Sequence, residues 1–192
     1  MQENFISLLD TKSRELLHQL TQVPKDDIRN VKNERGAFPQ RIVETTLDNG
    51  LKQQKKTPYG PGDVFIAFAL EDNDPSIAAS ERIGDVTYAQ YNFAVIFVIY
   101  GSESSFVANR MLLNMFDPQI LSWVQQNNLA FSEMKPKVET QDTVINNEWW
   151  IIRKCVLNLN CDIMVNTVTQ EILLDDITIG NVQTLNNPEV LE

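Results

Sequence analysis

Apolar and polar residues alternate with a period of two along residues 149–165. The odd-numbered positions are apolar except for Arg153, and the even-numbered positions become polar after Val156. Because successive side chains of a β-strand point to opposite faces, this pattern predicts a long antiparallel strand with one face toward a core. Such a strand would be roughly 50 Å long at about 3.3 Å per residue, well above the usual length. A strand of this kind suits an assembly part better than a catalytic pocket.

The same alternation assigns candidate interface residues to the other face of the strand. Three polar side chains are expected on the outward or partner-facing side: Asn158, Asn160 and Asp162. In the adjacent pair Trp149 and Trp150, the two indoles must point to opposite faces. The pattern predicts Trp149 in the core and leaves Trp150 either packed under a helix or in contact with a neighbouring molecule, since Trp often anchors interfaces.

The remaining hydrophobic patterns predict an α+β fold, with a mostly antiparallel sheet, helices packed on one face, an N-terminal helix and an extended arm. Helical spacing is found over residues 3–22 and after Ser104, and Asp117-Pro118 is a helix-start signal. Strands are expected over residues 64–70, 86–100, 129–137, 148–165 and 171–179, with a turn region over 138–147.

The chain divides into four segments by composition. Residues 1–23 form an amphipathic helix, 24–62 an extended arm or long loop rich in Pro and Gly, 63–182 the α+β core domain, and 183–192 a polar tail. The arm also carries a basic cluster that we predict as candidate interface residues: Lys52, Lys55 and Lys56.

The charge is distributed unevenly. The net charge is −10, and residues 155–192 hold six acidic and no basic side chains. Such a tail cannot bind phosphates electrostatically, so we predict no stable binding of nucleic acid through this region. An acidic surface either repels DNA that passes by, docks on a basic partner, or serves solubility alone. The basic cluster at Lys52, Lys55 and Lys56 would hold DNA or dock on an acidic neighbour.

Few residues suit catalysis. His18 is the only histidine, and Cys155 and Cys161 lie on one strand, where buried free thiols are expected. The acidic group Glu71, Asp72 and Asp74 resembles a cation site only loosely, and a solvated loop is the preferred interpretation. We therefore predict no catalytic residues, metal or cofactor. No stretch has the length of a membrane span and no secretory signal is seen, so we expect synthesis in the cytoplasm and no membrane partner.

Two segments carry a family resemblance. Residues 91–110 read as a strand that breaks at Tyr100-Gly101 into a helix, and a second helix and the strand from Glu148 to Ile163 follow. This order resembles the neck or tail-terminator proteins of tailed bacteriophages over residues 62–182. The resemblance implies a structural virion protein in the tail or neck. Such a subunit forms a ring, expected to be a hexamer, that ends the tail tube and joins it to the head connector.

The resemblance also implies the partners. They are further copies of the chain, the head connector or stopper protein, the tail tube protein and, in contractile tails, the sheath protein. DNA would pass through the ring without specific binding. Two alternatives from other classes stay open: a metal-dependent nuclease or other small enzyme that uses the acidic loop, and a binding module or chaperone for an assembly protein.

Overall fold

The computed structural model describes residues 2–31, 40–46, 51–72, 80–83, 86–166 and 177–178. The helices are α1 (Gln2–Thr21), α2 (Ser104–Asn114) and α3 (Pro118–Gln126), with a short 3₁₀ helix at Lys25–Asp27. The strands are β1 (Ile28–Asn30), β2 (Gln40–Thr46), β3 (Lys52–Pro58), β4 (Phe65–Asp72), β5 (Ser80–Ile83), β6 (Val86–Tyr100), β7 (Leu129–Phe131), β8 (Lys137–Ile145), β9 (Glu148–Asn166) and β10 (Ile177–Thr178). This is the predicted α+β fold with its N-terminal helix.

The start of α3 follows the capping signal of the sequence. The Asp117 carboxylate accepts a hydrogen bond of 2.7 Å from Gln119 N, and Pro118 occupies the first turn of α3, as predicted. The end of α1 is capped from outside, because Asn114 Nδ2 donates to the carbonyl of Leu20 at 2.8 Å. That bond ties the last turns of α1 and α2 together.

The main sheet is mostly antiparallel. Its strands follow the order β1-β4-β6-β9, and β8, β7 and β10 pair with successive parts of β9 on the side away from β6. Only β1 and β4 run parallel among the described strand pairs. β2 and β3 form a separate two-stranded antiparallel hairpin. The sheet is therefore built on the long β6–β9 pair, and β9 is the strand that the alternation of residues 149–165 predicts.

The main core lies between one face of the sheet and the three helices. Apolar side chains of β6 and β9 enter it from alternate positions, as Phe93 and its cross-strand partner Leu159 do. From α1 the core receives the helical repeat Leu9, Leu16 and Leu20, all buried. The two cysteines also lie here, and both are free and buried. Helices on one face of the sheet agree with the expected architecture.

A second, smaller core lies on the opposite face of the sheet. Phe65 stacks on Tyr59 with ring centroids 4.3 Å apart and on Tyr100 at 4.5 Å. The Trp150 indole meets the edge of Phe65 at 6.1 Å, and Ile152 completes the cluster. Residues just before β4 therefore cover one end of the face that has no helices.

Most of residues 138–147, for which a turn region was predicted, belong to strand β8. β8 pairs along β9, and the pair Ile145 and Glu148 leaves a two-residue loop. Both loop residues, Asn146 and Asn147, have positive φ angles of 53° and 64°. Positive φ at both central positions is the geometry of a type I′ hairpin turn, which Asn tolerates. The prediction was wrong because the strand is largely exposed and carries little apolar content.

The elements predicted for the C-terminal part of the chain lie mostly outside the described residues. From the strand expected over residues 171–179, β10 is described, and it pairs antiparallel with Met164 and Val165 of β9. The polar tail at 183–192 lies outside the described residues, as does Asp74 of the acidic loop. Within the described parts of the chain, no helix is long and apolar enough to cross a membrane.

Candidate functional site

The β2–β3 hairpin, residues 40–58, is the most exposed element of the described chain. All seven residues of β3 are exposed, and in β2 Arg41 is the one described side chain that is not. The two strands pair in register from Gln40 and Pro58 to Thr46 and Lys52. A two-stranded hairpin of this size is marginally stable alone in water. Its attachment to the body of the protein must therefore hold it in place.

The attachment is a polar cluster around Arg41. Its guanidinium forms ion pairs with Asp27 at 3.4 Å and with Asp63 at 3.5 Å, and it lies 5.3 Å from the centre of the Tyr59 ring. The Tyr59 hydroxyl donates to Asp27 Oδ1 at 2.8 Å. Gly60 N donates to Asp63 Oδ2 at 2.9 Å. Residues on both sides of the hairpin thus converge on one cationic side chain.

Burial shapes the electrostatics of this cluster. Tyr59 and Asp27 are both buried, and the ring of Tyr59 belongs to the second core. Burial first, and then the hydrogen bond to the Asp27 carboxylate, raise the pKa of Tyr59 to about 12. The phenol is therefore a fixed donor at neutral pH, and it cannot act there as a base.

A cavity of about 520 Å³ opens beside the cluster. Both signs of charge line it, with Asp26, Asp27 and Glu44 opposed by Arg29 and Arg41, and Ile42 adds an apolar side. Since Asp27 and Glu44 already pair with Arg41 and Lys52, the cavity offers no single-sign charge to an ionic ligand. The arrangement suits the anchoring of the hairpin.

The three lysines predicted as interface residues lie on this hairpin. Lys52, Lys55 and Lys56 are all exposed, and Lys52 Nζ pairs with Glu44 at 3.0 Å. Alternation along β3 places Lys52 and Lys56 on one face and Lys55 on the other. Positive charge is therefore presented on both faces of the hairpin.

The predicted polar residues of β9 lie on the sheet face opposite the main core. Asn158 and Asn160 are half-buried and Asp162 is exposed, whereas the residues between them are buried. Asn160 pairs across the sheet with Asn92, and its side chain accepts a 2.6 Å hydrogen bond from Ser132 Oγ. These residues and the three lysines belong to different sheets, so the candidates form two separate surfaces. Their contact with a partner stays a prediction.

Trp149 does not lie in the core, where the sequence pattern predicts it, and the neighbouring Trp150 does. Trp149 is 64% exposed, whereas Trp150 is 1% exposed and lies in the second core. The helix layer ends near this point, because α2 begins where Ser104 Oγ donates to the carbonyl of Ile151 at 3.3 Å. Trp149 extends past that end, so the prediction of a core position was wrong. Of the two alternatives for Trp150, the structure shows burial within the chain.

The other residues considered for catalysis, His18 and the two cysteines, are hydrogen-bonded or buried within the fold. His18 Nδ1 lies 2.7 Å from the carbonyl of Val23, which can only accept, so this nitrogen carries the proton. Burial raises the pKa of Cys155 and of Cys161 to about 12, which keeps both thiols protonated at neutral pH. Within the described residues, no three His, Cys, Asp or Glu side chains converge in a way that would hold a metal ion.

Sequence reasoning missed the cluster around Arg41. Pro24 followed by Asp26 and Asp27 is a local signal for the short 3₁₀ helix. No local signal joins Asp27 to Tyr59, which lies 32 residues later. No protein-family model matches the chain, and no curated protein sequence matches it either.

Proposed function

We propose that this chain is a structural protein of a tailed-bacteriophage virion. It would be a tail terminator or neck ring subunit that ends the tail tube and joins it to the head connector. The observation that carries the proposal is the β2–β3 hairpin, whose side chains are almost all exposed while its base is anchored by buried polar residues. An exposed hairpin with a fixed base is an element for contacting another molecule.

The composition of the hairpin supports contact with a protein. Ile42 is 49% exposed and Val43 is 38% exposed, beside the three lysines. When a partner covers such exposed apolar side chains, their burial stabilises the contact by about 25 cal/mol per Å² of apolar surface buried. The order of strands and helices that resembles the terminator family supports the particular assembly.

The sheet supports association as well. Within the described residues β1 pairs only with β4, and β8 pairs only with β9, so both are edge strands of the described sheet. The face that carries Asn158, Asn160 and Asp162 has no helix over it among the described elements. A ring subunit needs surfaces of this kind on more than one side.

The proposal is tested with a variant that shortens the hairpin. Ile42 and Lys56 are register partners, so residues 43–55 can be replaced by Asn-Gly, a two-residue turn that keeps Arg41 and Tyr59. We expect the full chain to form rings in negative-stain images, alone or with the tail tube subunit. The shortened variant should melt at nearly the same temperature and form no rings.

Two results would contradict the proposal. One is a full chain that stays monomeric by light scattering both alone and with the tail tube subunit. The other is metal-dependent cleavage of DNA by the purified chain that is lost in Glu71→Gln, which would favour the enzyme alternative.

A further inference from the structure

The β2–β3 hairpin is anchored beside β1, at the edge of the main sheet opposite to strand β8. One row of paired residues crosses all five strands: Ile28, Ile66, Ile99, Arg153 and Thr140. The hairpin is anchored at the β1 end of this row, because Arg41 pairs with Asp27, the residue before β1. At about 4.8 Å between strands, β1 and β8 are roughly 19 Å apart.

The tip of the β8–β9 hairpin, residues 139–149, is a largely exposed surface with an aromatic centre. Val144 and Trp149 are cross-strand partners, 56% and 64% exposed. Of the three exposed acidic side chains in this range, Glu139 and Asp142 form ion pairs with Lys137 and Arg153, and Glu148 lies directly beside Trp149. An exposed Trp with a charged rim has the composition of an interface hot spot.

The β2–β3 hairpin is complementary to this tip. Residues 40–58 contain four basic and two acidic side chains, which leaves 12 basic and 24 acidic side chains in the rest of the chain. The hairpin is thus a basic element on a strongly acidic protein. Each face of the hairpin also presents one exposed apolar side chain beside a lysine, Ile42 beside Lys56 and Val43 beside Lys55. Opposite charges around apolar centres favour association and fix its orientation.

We propose that the β2–β3 hairpin of one copy docks on the β8–β9 tip of a second copy. The two surfaces lie on opposite edges of the sheet, so each copy has one donor and one acceptor surface. A contact between different surfaces of identical chains is heterologous, and it closes into a ring when the rotation allows. This inference rests on the proposed ring function and specifies which surfaces form the ring.

The inference is tested by mixing two variants that each lack one surface. The first is Lys52→Glu, Lys55→Glu, Lys56→Glu, which removes the donor and keeps the acceptor. The second is Glu148→Lys, Trp149→Ala, which removes the acceptor and keeps the donor. All five side chains are exposed, so both variants should fold, and thermal melts by circular dichroism check this.

We expect each variant alone to be monomeric in sedimentation velocity, and a mixture to form one-to-one dimers and nothing larger. The matched control is Leu113→Ala, which removes a 75% exposed apolar side chain from α2 and should assemble like the unmodified chain. A mixture that stays monomeric overturns the inference. So do variants that form the same rings as the unmodified chain, a result that leaves the proposed ring function intact. An unmodified chain that forms no rings either alone or with the tail tube subunit overturns both.

Discussion

The Tyr59 hydroxyl donates a 2.8 Å hydrogen bond to Asp27 Oδ1 and thereby joins the two chain segments from which the β2–β3 hairpin extends. Asp27 precedes the hairpin and Tyr59 follows it, and Arg41 of β2 pairs with the same carboxylate oxygen. The ring of Tyr59 also stacks on Phe65 in the second core. This single pair therefore connects the hairpin to the packing of the main sheet.

Removing the hydroxyl should weaken this connection. Tyr59→Phe leaves a buried carboxylate with one partner fewer, and a hydrogen bond to a charged group is worth about 1.5–3 kcal/mol. We expect a loss of that size in urea unfolding, together with faster hydrogen exchange in β2 and β3. Ser132→Ala removes a hydrogen bond of 2.6 Å at an exposed site and should cost less than about 1 kcal/mol.

A double-mutant cycle separates the bond from the loss of packing. If Tyr59 and Asp27 act as a pair, the costs of Tyr59→Phe and Asp27→Asn should be non-additive by about 0.5–3 kcal/mol. Additive costs would mean that the two residues stabilise the hairpin base independently.

High pH should destabilise the protein, because Cys155, Cys161 and Tyr59 hold their protons more tightly in the folded state. Burial raises the pKa of Cys155 and Cys161 from 9.0 to about 12, and burial with the bond to Asp27 raises that of Tyr59 from 10.0 to about 12. The folded state holds these protons more tightly, so the unfolded state loses them first as pH rises. The free energy of unfolding should therefore be insensitive to these groups below about pH 8 and fall between the ordinary values and about pH 12.

Variants separate the contribution of the two thiols from that of the Tyr59 phenol. Cys155→Ala with Cys161→Ala should reduce the fall that begins near 9.0, and Tyr59→Phe should reduce the part that begins near 10.0. The measurement is urea unfolding across the alkaline range. A decline of the same steepness in every variant would assign the alkaline loss to other groups.

Periodic patterns in the sequence predict the centre of this fold well. The alternation in β9 and the apolar run of β4 identify strands, because the faces of a sheet separate at a period of two. Asp117 and Pro118 predict the start of α3 for equally local reasons. Each of these signals lies within one element, and each is confirmed.

The features that were predicted wrongly or missed depend on contacts between elements. Trp149 and Trp150 are adjacent in sequence, and only tertiary contacts decide their burial. Trp149 lies past the end of the helix layer near Ile151, whereas Trp150 packs in the second core on the opposite face. Asn146-Asn147 was a usable signal for a hairpin turn, although the weak apolar content of β8 concealed the strand. The pairing of Asp27 with Tyr59 spans the whole hairpin, so no local pattern predicts it.

The two faces of β9 should respond differently to truncation. Leu159 is fully buried in the main core opposite Phe93, so Leu159→Ala should cost about 2–5 kcal/mol in unfolding free energy. Asn160 lies on the other face and is half-buried, so Asn160→Ala should cost less than about 1 kcal/mol. Chemical denaturation of the two variants compares them directly. Equal costs would contradict the assignment of the faces.

Duplex DNA should not bind the protein stably. The net charge is −10, and residues 155–192 contribute six acidic side chains and no basic one, so phosphates are repelled over much of the chain. Binding at physiological salt should be weaker than the roughly 10⁻⁴–10⁻⁶ M of ordinary non-specific binders. The basic cluster at Lys52, Lys55 and Lys56 is the part of the chain most able to bind DNA. A gel-shift titration with linear DNA measures it, and micromolar binding that disappears when these three lysines become Ala would make the hairpin a DNA contact rather than a protein contact.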